Sequence, residues 1–190
     1  MNITEKTLYS LMAKTGENSS EWLPLIQHLQ DTADMMSYLC DEFISPSFAK
    51  ACGLEPDEFR KLVIFLAAVH DIGKATEVFQ YKIGKNLPER RSALESAGIV
   101  FPDYYVKENA VKTPHALAGE EILNLLSCPE CVSAVVGAHH GVPAESVQDL
   151  SQPARDIVLY ENYYGYDKGN IEVLQSIWQM ILNMALDVAG

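Results

Sequence analysis

The hydrophobic positions along this chain recur at helical spacing almost throughout, and no stretch of six or more residues alternates in the manner of a half-buried strand. From Ser20, with Pro24 in the first turn, Leu25, Leu29, Met36, Leu39 and Phe43 fall on one stripe and predict a helix with His28 at the stripe's border. Ser45-Pro46 breaks the pattern, and Ser47 to Cys52 predicts a short helical turn. Glu55-Pro56-Asp57 then opens a second long helix, with proline in the first turn and acidic residues at the positive end of the dipole. That helix holds the longest apolar run, Leu62 to Val69, eight residues that demand burial, and it ends on His70-Asp71-Ile72-Gly73-Lys74.

Residues 84–112 are the least regular, punctuated by Pro88, Gly98 and Pro102, and predict a long loop with a short helix over Arg90 to Ala97. Thr113 as N-cap and Pro114 at the first position predict a helix that puts His115 on one face with Ala118, Ile122 and Leu126. Pro129 opens another, through Val132, Val135 and Val136 to His139-His140, where Gly141 and Pro143 stop it. A further helix is expected over Gln152 to Tyr166. The last, Ile171 to Val188, carries Leu174, Trp178, Ile181, Ala185 and Val188 on one side and Ile177, Met180 and Met184 on another. So much apolar circumference predicts deep burial, and Asp187 continues the second row. The expected fold is therefore all-α, a helical bundle formed by residues 1–190 as one domain with a substantial core, 48% of the residues being hydrophobic.

Charge changes this picture by exclusion. A formal net charge of −12 excludes a free-standing nucleic-acid binder, because phosphate recognition is built from clustered Lys and Arg. Any nucleic acid must be held by bound cations or delivered by a basic partner. Four cysteines are too sparse for a disulfide framework and suit a reducing compartment. The Cys128–Cys131 pair has Cys-x-x-Cys spacing without a second such pair, which favours packing over zinc. No apolar run approaches the ~20 residues of a membrane span, and the N-terminus lacks a signal pattern, so a soluble cytoplasmic protein is expected.

The candidate chemistry lies where polar groups end apolar runs. A buried imidazole beside a buried carboxylate costs several kcal/mol unless each finds a partner. An ordinary His-Asp hydrogen bond would serve, and so would a shared divalent cation, which a carboxylate can bridge to a second. Neighbouring residues on a helix point ~100° apart, so His139 and His140 can converge only where the helix unwinds, and the glycine after them is such a place. All five histidines, His28, His70, His115, His139 and His140, fall at helix positions able to turn inward. With Asp71 and Asp187 they make seven groups, enough for two ions sharing Asp71. Such a pair serves hydrolysis of a phosphate ester. Lys74 fits either an electrostatic clamp or proton donor for the phosphate, or simple solvation at a helix end. Imidazole-rich sites suit Mn²⁺, Fe²⁺, Co²⁺, Ni²⁺ or Zn²⁺ better than Mg²⁺.

His70-Asp71 followed by Ile-Gly-Lys resembles the signature of the HD metal-dependent phosphohydrolase superfamily. More narrowly, four motifs resemble the HD nuclease domain of the CRISPR-associated type I interference helicase-nuclease family: WLPLIQHLQDTA over Trp22–Ala33, HDIGKA from His70, HALAGE from His115 and the doubled His139-His140-Gly141. The likeness runs from about Leu11 to the end. It implies a two-metal centre that cuts and degrades single-stranded DNA, with His28, His70, Asp71 and Asp187 on one ion and Asp71, His115, His139 and His140 on the other. It also implies a superfamily 2 helicase, fused or separate, and a CRISPR surveillance complex as partners. One departure touches the last ligand, since Val188 follows Asp187 where the family carries an aromatic. Two other readings are compatible with the residues: a phosphohydrolase of nucleotides, and an inactive HD module that binds a CRISPR complex, a helicase or an inhibitor.

Overall fold

The computed structural model describes residues 3–16, 21–84, 86–99, 114–141 and 168–190. The described residues are predominantly α-helical, so the fold is all-α as expected. In chain order the helices are α1 (Ile3–Ser10), α2 (Leu25–Glu42), α3 (Pro46–Ala51), α4 (Pro56–Val69), α5 (Glu77–Gly84), α6 (Pro88–Ser96), α7 (His115–Leu125), α8 (Glu130–Gly137) and α9 (Lys168–Ala189). A 3-10 turn, Ile72–Lys74, sits between α4 and α5.

The core is centred on α4, whose Ile64, Phe65, Ala68 and Val69 are buried between α2 and α9. Leu25, Leu29 and Ala33 come from α2, and Leu174, Ile177, Trp178, Ile181 and Ala185 from α9. Leu29 is fully buried, and truncating such a side chain to alanine costs about 2–5 kcal/mol. Helix α4 starts where the sequence marks it, through a reciprocal capping box in which the Glu55 N–H donates to Glu58 Oε2 at 3.1 Å. Ser45 caps α3, its hydroxyl oxygen accepting from the Ser47 N–H.

Several expectations are corrected. The first long helix begins at Leu25 and not at Ser20, because Trp22–Pro24 is a strand paired antiparallel with Met12–Thr15. The strands are four and three residues long, too short for alternation to be read. Their local cause is Pro24, which restricts the residue before it to extended backbone. The Arg90 guanidinium lies 3.7 Å over the Trp22 ring and ties this ribbon to α6. That helix starts at Pro88, within the stretch expected to be mostly loop. Pro114 is the N-cap of α7 where Thr113 was expected, so His115 opens the helix. The last helix starts at Lys168, and its terminal turn buries Ala189 while leaving Val188 40% exposed. The expected Gln152–Tyr166 helix and Thr113 lie outside the described residues. No described helix is long and apolar enough to cross a membrane.

Candidate metal centre

The apolar stripe of α4 runs out at its C-cap, His70, and Asp71 (φ −108°, ψ 18°) leaves helical geometry to enter the 3-10 turn. That turn is held from three sides. Gln80, fully buried on α5, donates its side-chain amide to the carbonyls of Lys74 (2.8 Å) and Met12 (2.9 Å), and accepts from the Met12 N–H at 3.0 Å. The Trp178 indole N–H donates to the Ala75 carbonyl at 2.6 Å, and the Thr76 hydroxyl to the Gly73 carbonyl at 3.0 Å. The fourth contact is bare backbone. A Cβ on Gly73 would lie 1.8 Å from the carbonyl oxygen of His115 and 2.5 Å from the Gly119 nitrogen, so α7 reaches its position only against glycine. Gln80 and Trp178 were not singled out from the sequence, because a lone glutamine and a core tryptophan carry no pattern that assigns them to a site.

Asp71, only 4% exposed, stands at the centre of this arrangement. Its Oδ2 faces His28 Nε2 at 2.8 Å, His70 Nε2 at 3.1 Å and Lys74 Nζ at 2.7 Å. Its Oδ1 faces His115 Nε2 at 3.1 Å and His139 Nε2 at 3.5 Å. His140 Nε2 lies 3.0 Å from His115 Nε2. Helix α8 ends at Gly137, residues 138–140 form turns, and Gly141 adopts φ +80°, so the chain unwinds where the two histidines must converge. Their ring centroids are 4.2 Å apart. His28, His70, His115 and His139 are half-buried. His140 is exposed, which corrects the expectation that every histidine turns inward, yet its ring reaches the cluster.

Ligand atoms that could hold a metal form two groups, His28 with His70 and Asp71, and His115 with His139 and His140. The donor chemistry fits divalent cations. The Nδ1–H groups of His70 and His139 donate to the carbonyls of Ala67 (2.8 Å) and Val136 (2.7 Å), which turns each Nε2 inward as the nitrogen that, once deprotonated, a metal takes. His139 Nε2 and Asp71 Oδ1 are buried without a hydrogen-bond partner, a cost that an ion between the groups would remove.

Burial pushes the Asp71 carboxyl up, but the facing nitrogens of His115, His139, His70 and Lys74 outweigh it and hold the group well below the usual carboxylate range. Asp71 contact raises His139 against opposing burial. Burial lowers His28 despite its bond to Asp71. It lowers His140 too, aided by His139 and His115.

Lys74 is 7% exposed, with its ammonium on Asp71 and 5.7 Å from the centre of the Phe79 ring. Solvation at a helix end is therefore not its role. Asp187, exposed on α9, is a member of neither group. The burial expected for it from the apolar row is not found, and helix geometry gives the reason. Ala185 and Ala189 face the core, and a residue two positions from Ala185 points about 200° around the helix. Cys128 and Cys131 are free thiols that join no metal-ligating group among the described residues.

An all-helical domain that gathers histidines on two sides of a single aspartate, at the end of a core helix, is of the HD type. Residues 12–189 match the family model described as "Cas3, HD domain", and the chain belongs to that family. It is also similar to the CRISPR-associated nuclease/helicase Cas3 of Streptococcus thermophilus, at 32% identity over 96% of this chain. The chain spans 21% of that relative's length. No solved structure gives a significant match.

Proposed function

We propose that this chain is the nuclease domain of a CRISPR interference system, hydrolysing phosphodiester bonds in single-stranded DNA with two divalent transition-metal ions. The observation that supports this best is the pair of three-ligand groups, one containing Asp71 with His28 and His70 at its Oδ2 and the other turning His115 and His139 toward its Oδ1, in a chain of the Cas3 HD family. His28, His70 and Asp71 would hold one ion, and His115, His139 and His140 the other, with Asp71 Oδ1 turned toward the second group. Cations bound there would supply Lewis-acid activation of the phosphodiester and of the water that attacks it.

The chain's own groups set the conditions for that chemistry. Asp71 stays ionised and bridges the two halves. The neutral imidazoles of His28 and His140 are ready as donors, and His139 must first release a proton. Lys74, the cation packed on Asp71, is placed to stabilise negative charge on the phosphoryl oxygens, and we assign it the role of electrostatic clamp. The net charge of −12 leaves DNA to be held at the metals and presented by a basic partner. A helicase, fused or separate, is that partner by analogy with the nuclease/helicase relative. A surveillance complex would recruit both.

The test is degradation of single-stranded DNA by chain loaded with Mn²⁺, Co²⁺ or Ni²⁺ against Mg²⁺ alone, with His70→Ala and a panel of nucleoside phosphates alongside. Cleavage of DNA with the transition metals, lost in His70→Ala, is expected. If loaded wild type and His70→Ala leave DNA equally intact, the nuclease reading falls. Turnover confined to nucleoside phosphates would place the chain among nucleotide phosphohydrolases instead.

A further inference from the structure

Beside the metal centre, α2, α4 and α8 leave a pocket of about 500 Å³. It is lined by Met36, Val63, Leu66, Val135 and Ala138 together with His70 and His139, whose rings are set edge to face with centroids 5.5 Å apart. These are the same imidazoles whose Nε2 atoms face Asp71, so the pocket shares two side chains with the site where a phosphodiester would be held.

The polar groups on its wall are committed elsewhere. The Thr32 hydroxyl donates to the His28 carbonyl at 2.7 Å, and the Nδ1–H groups of His70 and His139 donate to Ala67 and Val136. A cavity of this size takes a ligand of small-molecule dimensions. Its aliphatic, thioether and imidazole surfaces suit the π-face of a ring, since methionine sulfur and ring edges both favour aromatic contact. Nothing on the described wall is left to read the hydrogen-bonding edge of one base against another.

We infer that this pocket is a base-binding subsite: it takes the nucleobase next to the phosphate held at the metal centre and holds it by stacking, without regard to sequence. The inference rests on the nuclease reading for its substrate class. It adds that binding of the substrate depends on a flanking base and not on phosphate alone.

The experiment titrates Mn²⁺-loaded chain with thymidine 5′-monophosphate, 2′-deoxyadenosine 5′-monophosphate and 2-deoxyribose 5-phosphate by calorimetry. Base stacking predicts that both nucleotides bind at least roughly tenfold tighter than the sugar phosphate and within about threefold of each other. Val63→Trp fills the pocket and removes that advantage while the sugar phosphate binds as before. Val135→Trp, at a position 52% exposed on α8, repeats the test at a site that tolerates a large side chain. Equal binding of nucleotide and sugar phosphate by wild type, or a preference that survives both variants, overturns the subsite. If single-stranded DNA is nonetheless cut, the nuclease reading stands without it. If the nucleotide preference is present and pocket-dependent but DNA is never cut, the subsite stands and the nuclease reading falls.

Discussion

Replacing Gly73 with alanine tests how the centre is assembled, because the added methyl group has nowhere to go. Its Cβ would sit 1.8 Å from the His115 carbonyl oxygen and 2.9 Å from the His115 carbonyl carbon, both backbone atoms that no rotamer can move. Restoring an ordinary van der Waals contact requires the 3-10 turn and α7 to part by roughly 1.5 Å. His115 opens α7, so its Nε2, now 3.1 Å from Asp71 Oδ1, would be carried away from the centre with it. Overpacking of this kind costs about 1–3 kcal/mol, which in a chain of this length lowers Tm by roughly 2–4 °C per kcal/mol. A displacement of ~1 Å in a reacting constellation can cost about a hundredfold in rate. Gly73→Ala is therefore expected to fold, melt several degrees lower, bind less metal and cut single-stranded DNA about two orders of magnitude more slowly.

The control is Gly53→Ala. Gly53 has φ +71° and nothing within 4 Å of its would-be Cβ, so the substitution adds backbone strain of about 1–2 kcal/mol remote from the site. Melting curves, metal content by elemental analysis and a DNA degradation gel are run on both. The reasoning is refuted if Gly73→Ala retains wild-type metal content and rate well below its melting point, or if Gly53→Ala loses as much activity.

Gln80→Leu removes hydrogen bonds at 2.8–3.0 Å to Lys74 and Met12 from a fully buried position, and should destabilise the chain by about 2–4 kcal/mol in urea unfolding; a loss under about 0.5 kcal/mol would show that the strap does not matter. Lys74→Met keeps the stem and deletes the charge, so metal content should persist while DNA cleavage falls by about two orders of magnitude, and an unchanged rate would remove Lys74 from the chemistry. Metal affinity should rise with pH through the near-neutral range. His139 is raised above 6.5 and must shed its proton to serve as a ligand, whereas His28 and His140 are lowered and already neutral there. Calorimetry in buffers of different ionisation enthalpy should detect that released proton, and a pH-independent affinity with no proton release would contradict the assignment.

What the sequence determined by itself was local. Helical periodicity from Leu25 to Phe43 and from Asp57 to Val69, the Glu55-Pro56 start and the glycine after His139-His140 report short-range preferences, and each matches the structure because nothing distant opposes it. The His70-Asp71 doublet at the end of the longest apolar run also identified where burial would have to be offset. Tertiary packing decided the rest. His28 and His115 lie 43 and 44 residues from Asp71, and only the crossing of α2, α4 and α7 determines that one faces Oδ2 and the other Oδ1. Lys74 could have been solvated, and it is buried because Gln80, Trp178 and the bare backbone of Gly73 close the turn around it. The apolar row that Asp187 continues belongs to a helix whose last turn faces the core through Ala185 and Ala189, so Asp187 is exposed. Periodicity fixes which residues share a face, but which face finds the core is set by the shape of the surfaces it meets.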